Sequence, residues 1–249
     1  MSVFERLAQV VEREERAVLF TVIEGEPLGA HMLVLEHGER LGAQLPAGLA
    51  EQAGELIRGH RNQIIDLDGA RVFAEIYAPP PRLLVYGAVD TAESLARLAK
   101  QLGWKAIVAD ARAKFATRER IPSADEIVVA WPEEALARVA PDHATAVVVL
   151  THDDKFDVPA LKAALATEAF YVGALGSRRN QERRRERLLE AGVDEADLDR
   201  IAGPCGLDLG AESQPETALS ILAEIVAVRN GREGGRLGRS TQRIHAAAD

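Results

Sequence analysis

The stretch from Thr145 to Arg179, TAVVVLTHDDKFDVPALKAALATEAFYVGALGSRR, decides the fold. It holds two apolar runs, Ala146–Leu150 and Phe170–Gly173, each followed at once by polar and glycine residues that open a helix. A central strand of a parallel sheet is covered on both faces, so it reads as a continuous apolar run, as AVVVL does, and not as an alternation. The stretch is therefore a βαβ unit. Ligands of open α/β sheets bind outside the carboxyl ends of the strands. That edge carries Thr151, His152, Asp153 and Asp154 on one loop, and Gly173, Gly176, Ser177 and Arg178 on the next.

Upstream, the same alternation continues: strand Leu83–Tyr86, helix Thr91–Leu102, strands Lys105–Ala109 and Glu126–Ala130, helix Pro132–Val139. Downstream, a helix runs from Arg178 to Ala191. Strands separated by helical stretches of about ten residues imply crossover connections, hence a doubly wound parallel sheet. Ser213 and Glu216 form a capping box with Pro215 in the first turn, opening a last helix whose apolar face is Ile221, Leu222, Ile225 and Val226.

Ala78-Pro79-Pro80-Pro81 marks a domain boundary, because consecutive prolines hold an extended form and join neither helix nor central strand. Before it, residues 1–78 read as a small α+β domain. Its first helix spans Val3–Glu15 with Phe4, Leu7, Val10 and Val11 on one face, and short strands and a helix at Pro46–Gly59 follow. After Arg229 the composition turns to Gly, Arg and Ser, which predicts a disordered tail over 230–249.

With 249 residues and 47% hydrophobic content the chain can bury a substantial core. A net charge of −9 argues against nucleic-acid binding, which needs a basic surface. The single cysteine, Cys205, allows no intramolecular disulfide and no Cys-rich metal site. No apolar run approaches the roughly 18 residues of a membrane span, and the charged, amphipathic N-terminus is unlike a signal peptide, so a cytoplasmic protein is expected.

Three loops could carry chemistry. The first, Gly87-Ala88-Val89-Asp90, follows a strand, and Asp110 ends the next strand 23 positions later. That is the layout of a dinucleotide site, where glycines admit a pyrophosphate and the acid binds ribose hydroxyls. Val89 stands at the second glycine position, however, and Asp90 repels phosphate, so a turn of this type with no dinucleotide bound is an equal reading. Asp110 and Arg112 make a polar pair at the strand end. The second loop, His152 with Asp153, Asp154 and Asp157, is a poor metal signature without a further His or Cys. Asp157 reads as the N-cap of a helix starting at Val158, and His152 as a ligand-facing donor or a loop organiser.

The third loop, Gly173-Ala174-Leu175-Gly176-Ser177-Arg178-Arg179, is the strongest: its glycines permit an anion-holding turn, Ser177 caps the next helix, and the arginines add charge-assisted contacts to a phosphate. Arg183, Arg184, Arg185 and Arg187 alternate with Glu182, Glu186 and Glu190 and read as a solvated helix face. Gly206 lies in a further glycine-bearing loop beside Cys205, which could be a nucleophile or a sulfur carrier but more commonly reads as a buried apolar thiol.

Five runs in this order, DAR (110–112), ATRERIPSADEIV (116–128), LTHDDKFDVPAL (150–161), YVGALGSRR (171–179) and PCGLDLGAESQPETALSILAEI (204–225), resemble the XdhC/CoxI family of molybdoenzyme maturation proteins. The resemblance implies a Rossmann-like C-terminal domain over 82–229 after a small XdhC/CoxI-like N-terminal domain. It also implies a chaperone, more than a catalyst, that binds the molybdenum cofactor (molybdopterin) and serves a molybdenum hydroxylase of the xanthine or carbon monoxide dehydrogenase type. A cysteine desulfurase and a second copy of the chain are further partners it suggests. The cofactor-binding set is then Gly87, Asp110, Arg112, Thr151, His152, Asp153, Gly173, Gly176, Ser177, Arg178 and Gly206, with the phosphate on Gly176–Arg178. An NAD(P)-dependent oxidoreductase and a ligand-free interaction paralogue are the alternatives.

Two departures accompany the resemblance. Gly87-Ala88-Val89-Asp90 replaces the family's Gly-x-Gly-His. EGEPLGA (24–30) and GAQLPAGLAE (42–51) stand where it has Gly-Ser-Thr-Pro-Arg and Gly-Gly-Cys-Leu-Glu, so that the N-terminal domain has no cysteine.

Overall fold

The computed structural model describes residues 1–46 and 48–241 and divides into two compact units, Met1–Pro79 and Pro80–Ser240.

In the first unit, helix α1 (Val3–Glu12) starts at a capping box in which the Ser2 hydroxyl accepts from Glu5 N–H and the Glu5 carboxylate accepts from Ser2 N–H. Strands β1 (Ala17–Glu24), β2 (His31–Leu35), β3 (Arg40–Gly42), β4 (Gln63–Leu67) and β5 (Ala70–Tyr77) form an antiparallel sheet in the order β3-β2-β1-β5-β4. Helix α2 (Leu49–Gly59) covers one face, packing Leu49, Ala53, Leu56 and Ile57 on Val18, Phe20, Val34 and Val72. Leu7 and Val10 of α1 cover the other, on Leu19, Leu33 and Leu35. Residues of β1 thus go alternately to two buried faces, which explains its opening apolar run, Ala17–Phe20.

The second unit is built from strands β6 (Arg82–Tyr86), β7 (Lys105–Ala109), β8 (Glu126–Val128), β9 (Thr145–Val149), β10 (Tyr171–Ala174) and β11 (Ile201–Ala202). All five pairings are parallel, and the order is β11-β10-β9-β6-β7-β8. Helices α3 (Asp90–Gln101) and α8 (Gln214–Arg229) cover one face, where Leu83, Val85 and Val148 meet Leu95, Ala96, Ile221 and Ile225. Helices α4 (Pro132–Val139), α5 (Asp154–Leu165) and α6 (Arg178–Glu190) cover the other, where Leu84, Val147 and Val149 meet Leu136, Leu161 and Leu188. Each such side chain contributes roughly 1.5–3 kcal/mol by burial. A short helix α7 (Glu195–Leu198) precedes β11.

Counted from β6, this is the 3-2-1-4-5-6 order of a Rossmann-like, doubly wound sheet, with its switch point between β6 and β9. Of the tail expected to be disordered, 242–249 lie outside the described residues, and Leu237–Arg239 forms a 3-10 turn. No helix among the described residues is long and apolar enough to cross a membrane.

Candidate functional site

The loops after β6, β7, β9 and β10 open on one edge of the parallel sheet, and the two glycine turns there are opposite in character. The turn after β6 is closed. Gly87 N–H donates to Ala109 O (2.7 Å), Ala88 N–H to the Asp110 carboxylate (2.9 Å) and Val89 N–H to Gly87 O (2.9 Å). None of these three donors is left to hold a phosphate. Gly87 itself is required by packing: its φ is +114°, and a Cβ there would lie 2.9 Å from Thr151 Cγ2.

Asp110, 1% exposed, also accepts from Arg112 N–H (2.8 Å), Nε (2.9 Å) and Nη2 (2.8 Å). With Ala88 these bonds use the roughly four acceptor positions of a carboxylate. Burial pushes the Asp110 carboxyl up, but the Arg112 side chain and the two backbone N–H groups outweigh it and hold it below its ordinary range. Ribose hydroxyls could reach Asp110 only by displacing Arg112. The Asp110–Arg112 pair is thus a fixed clamp.

The turn after β10 is open. Gly176 adopts φ +141°, and the backbone N–H groups of Gly176, Ser177, Arg178 and Arg179 have no acceptor among the described residues. The Ser177 hydroxyl caps α6 by accepting from Asn180 N–H (3.3 Å). The carbonyl side of the same turn is braced: Ala174 O accepts from Cys205 N–H (3.1 Å) and Gln181 Nε2 (3.3 Å), and Leu175 O from Arg184 Nη2 (2.9 Å). Arg178 and Arg179 are exposed and make no ion pair among the described residues. Two cations in the first turn of a helix oppose its dipole, at about 0.3–1 kcal/mol each, and an anion seated between them reverses that cost.

Four expectations need correction. Asp157 is not an N-cap. Helix α5 starts four residues earlier than expected, at Asp154, because the Asp153 carboxylate accepts from Lys155 N–H (3.0 Å) and caps it. Asp157, 3% exposed, instead takes the Thr151 hydroxyl and the guanidinium of Arg184 (2.8 Å). Arg184 is accordingly not solvated: 5% exposed, it pins α6 to α5 and braces the open turn. Burial pushes the Asp157 carboxyl up, against the pull of Thr151 and Arg184. Gly173 lies inside β10, paired with Val148 and Ala202, and not in the turn. It is glycine because a Cβ would stand 2.6 Å from the Tyr171 ring and 3.0 Å from Cys205 Cβ.

The other expected residues divide by exposure. Thr151 is buried and spends its hydroxyl on Asp157. Gly206, at φ +112°, packs against Ser220 and donates its N–H to Glu224 (2.9 Å). His152, Asp153, Ser177 and Arg178 face solvent, while Gly176 and Arg112 are half-buried. The Cys205 thiol is pushed up to about 12, chiefly by burial and then by Glu224, so it stays protonated at neutral pH. Among the described residues no group of three or more His, Cys, Asp or Glu side chains could hold a metal.

In the first unit a cleft of about 340 Å³ is lined by Met32, Arg40, Gln44, Pro46 and Glu51, in the stretch that has no cysteine. Sequence reasoning missed the aromatic rim of Phe115, Trp131 and Phe156 around Arg112 and Lys155. Its signal was a tryptophan, Trp131, between a strand and the proline that opens a helix.

A Rossmann-like domain with one closed and one open glycine turn defines the class. Residues 83–225 match the model of the XdhC Rossmann domain, and the chain belongs to the XdhC family. It is 33% identical over 158 residues to a protein of Bacillus subtilis (strain 168) named as a probable xanthine dehydrogenase subunit. It is 32% identical over 157 residues to the molybdenum cofactor insertion chaperone PaoD of Escherichia coli (strain K12). These matches cover 64% and 63% of this chain but only 46% and 43% of those relatives. A crystal structure described as a xanthine dehydrogenase from Bacillus halodurans superposes with a TM-score of 0.69 over 92% of this chain and 67% of the other. At 24% identity that likeness concerns the fold alone.

Proposed function

We propose that the protein is an accessory factor that binds the molybdenum cofactor and passes it to a xanthine dehydrogenase-type molybdoenzyme. The observation that carries this reading is the open turn after β10, with four backbone N–H groups that have no acceptor among the described residues and two exposed arginines. It suits the phosphate of a pterin, and the relative named as a cofactor insertion chaperone supplies the class of cargo. When bound, the cofactor supplies a pterin with an anionic phosphate and a metal centre.

The residues fit the phosphate end. Gly176 and Ser177 offer backbone donors, Arg178 and Arg179 offer charge, and Arg184 holds the turn in shape from behind. They supply no thiolate, since the one cysteine is buried and protonated. The protein therefore holds its cargo by the pterin and its phosphate and leaves the metal's sulfur chemistry to others, a desulfurase among them. An NAD(P)-dependent reaction is disfavoured by the closed turn after β6 and the occupied Asp110.

The test is equilibrium binding of molybdenum cofactor, molybdopterin and NAD(P) to the purified chain. Pterin binding weakened about tenfold or more by Arg178→Ala supports the reading. Absence of pterin binding overturns it. Co-purification with a molybdenum hydroxylase, and sedimentation for self-association, test the partners.

A further inference from the structure

The open turn after β10 is aimed by side chains of the helix that follows it. In a trans peptide the C=O and the next N–H point to opposite sides. The 175–176 peptide is trans, and its carbonyl, Leu175 O, accepts from Arg184 Nη2 (2.9 Å), so the Gly176 N–H points to the side opposite Arg184. Rotating that peptide plane would exchange the two groups and set a carbonyl oxygen where an anion would sit. Glycine tolerates both orientations, so the residue that opens the turn does not fix it.

Arg184 is itself held by Gln181, one turn into α6. Gln181 Oε1 accepts from Arg184 Nη1, and Gln181 Nε2 donates to Ala174 O (3.3 Å), the carbonyl just before that of Leu175. Both ends of the amide are used, which sets its orientation. Arg184 Nη2 also holds Asp157 (2.8 Å), so the guanidinium plane is fixed through both terminal nitrogens. Gln181 is half-buried and lies against the turn, since a Cβ built on Gly176 would be 3.5 Å from its Nε2. On its other flank, Gly203 leaves the room it occupies. A Cβ on Gly203 would stand 2.5 Å from Gln181 Oε1 and 2.9 Å from Cδ.

We propose that Gln181 is a positioning residue of the anion turn: it locks the Arg184 guanidinium, and through it the Leu175–Gly176 peptide, with the Gly176 N–H toward the phosphate. This rests on the reading that the turn after β10 holds a phosphate. Gln181 acts through Arg184 and touches no ligand. Gly203 gives a way to disturb Gln181 without replacing it. It is exposed, its φ lies outside the left-handed range, and the atoms nearest an added Cβ are all in the flexible Gln181 side chain, so alanine there pushes on Gln181.

In the full chain with nitrogen-15 glycine, the Gly176 amide, assigned from the peak lost in Gly176→Ala, reports binding of inorganic phosphate by NMR. A saturable shift is expected in the parent. Gln181→Met and Gly203→Ala should each bind phosphate about fivefold more weakly, the size of one or two lost hydrogen bonds, and should move the Gly176 resonance before phosphate is added. The double variant should be no weaker than Gln181→Met, because both changes act on one contact. Neither changes the charge, so the dependence of affinity on salt should stay that of the parent, whereas Arg178→Ala should flatten it. Parental affinity in either single variant, or losses that add in the double, overturns the proposal and leaves the pterin reading standing. Should Gln181→Met fail to fold, Gly203→Ala decides alone. A Gly176 amide that moves in the parent with neither phosphate nor molybdopterin overturns the reading and the proposal together.

Discussion

Replacing Arg184 with alanine tests the brace behind the open turn. The substitution removes the Arg184 Nη2 bonds to Asp157 (2.8 Å) and to Leu175 O (2.9 Å), together with the bond to Gln181. Asp157, 3% exposed, then keeps only the Thr151 hydroxyl, and the half-buried Leu175 carbonyl loses a charged donor. Breaking one side of a buried pair costs about 3–5 kcal/mol, because a desolvated charge is left uncompensated. The cost depends on pH. The Asp157 carboxyl is already raised by burial, and losing Arg184 raises it further.

A raised folded-state pKa contributes stability below the unfolded value and loses it as pH rises through the folded one. The variant is therefore expected to be worst at neutral pH and to approach the parent as the solution becomes acidic. Urea unfolding followed by tryptophan fluorescence reads this cleanly, since both tryptophans lie in the second unit. The double variant Asp157→Asn/Arg184→Met should lose less than Arg184→Ala alone. A loss below about 1 kcal/mol at pH 7, the size of a surface pair, or a penalty that does not change with pH, would show that water reaches Asp157 and refute the reasoning.

Other outcomes follow from the site. Gly87→Ala puts a Cβ at 2.9 Å from Thr151 Cγ2 at φ +114°, and should cost about 1–3 kcal/mol in the same urea assay. Asp110 has a lowered folded-state pKa, so its contribution is present at neutral pH and lost as pH falls through the folded value. The melting temperatures of Asp110→Asn and parent should accordingly differ most near pH 7 and converge below the ordinary aspartate range. Cys205, 8% exposed with its thiol held near 12, should resist a thiol-reactive dye at pH 7.5 in the folded chain and react at once in urea.

The parallel sheet was legible because each central strand is buried on both faces, so that LLVY and AVVVL stand out against charged helices. β3 and β11 were not, being three and two residues long. The open turn was visible in Gly176, Ser177 and Arg178, whose types suit an anion. The closure of the other turn was not, because which acceptor takes each N–H depends on the approach of Asp110 from the neighbouring strand. Asp157 and Arg184 lie 27 residues apart, the one reading as a helix cap and the other as part of a solvated helix face. A signal existed in α6 all the same. Leu188 is its one buried apolar residue, so the helix could dock only by bringing a charged side chain inside, and Arg184 sits one turn before it.

The ion pairs between α5 and α6 form a clasp of graded sensitivity to ionic strength. Asp154 receives Arg183 at 3.4 Å and Arg187 at 3.0 Å near the surface, while Asp157 holds Arg184 inside. At 1 M salt the Debye length shrinks to about 3 Å, which screens exposed charges and spares buried ones. Salt therefore slackens the outer contacts and leaves the inner pin in place. The two loops that launch these helices, one bearing His152 and the other Gly176, keep their spacing even where the surface between them loosens.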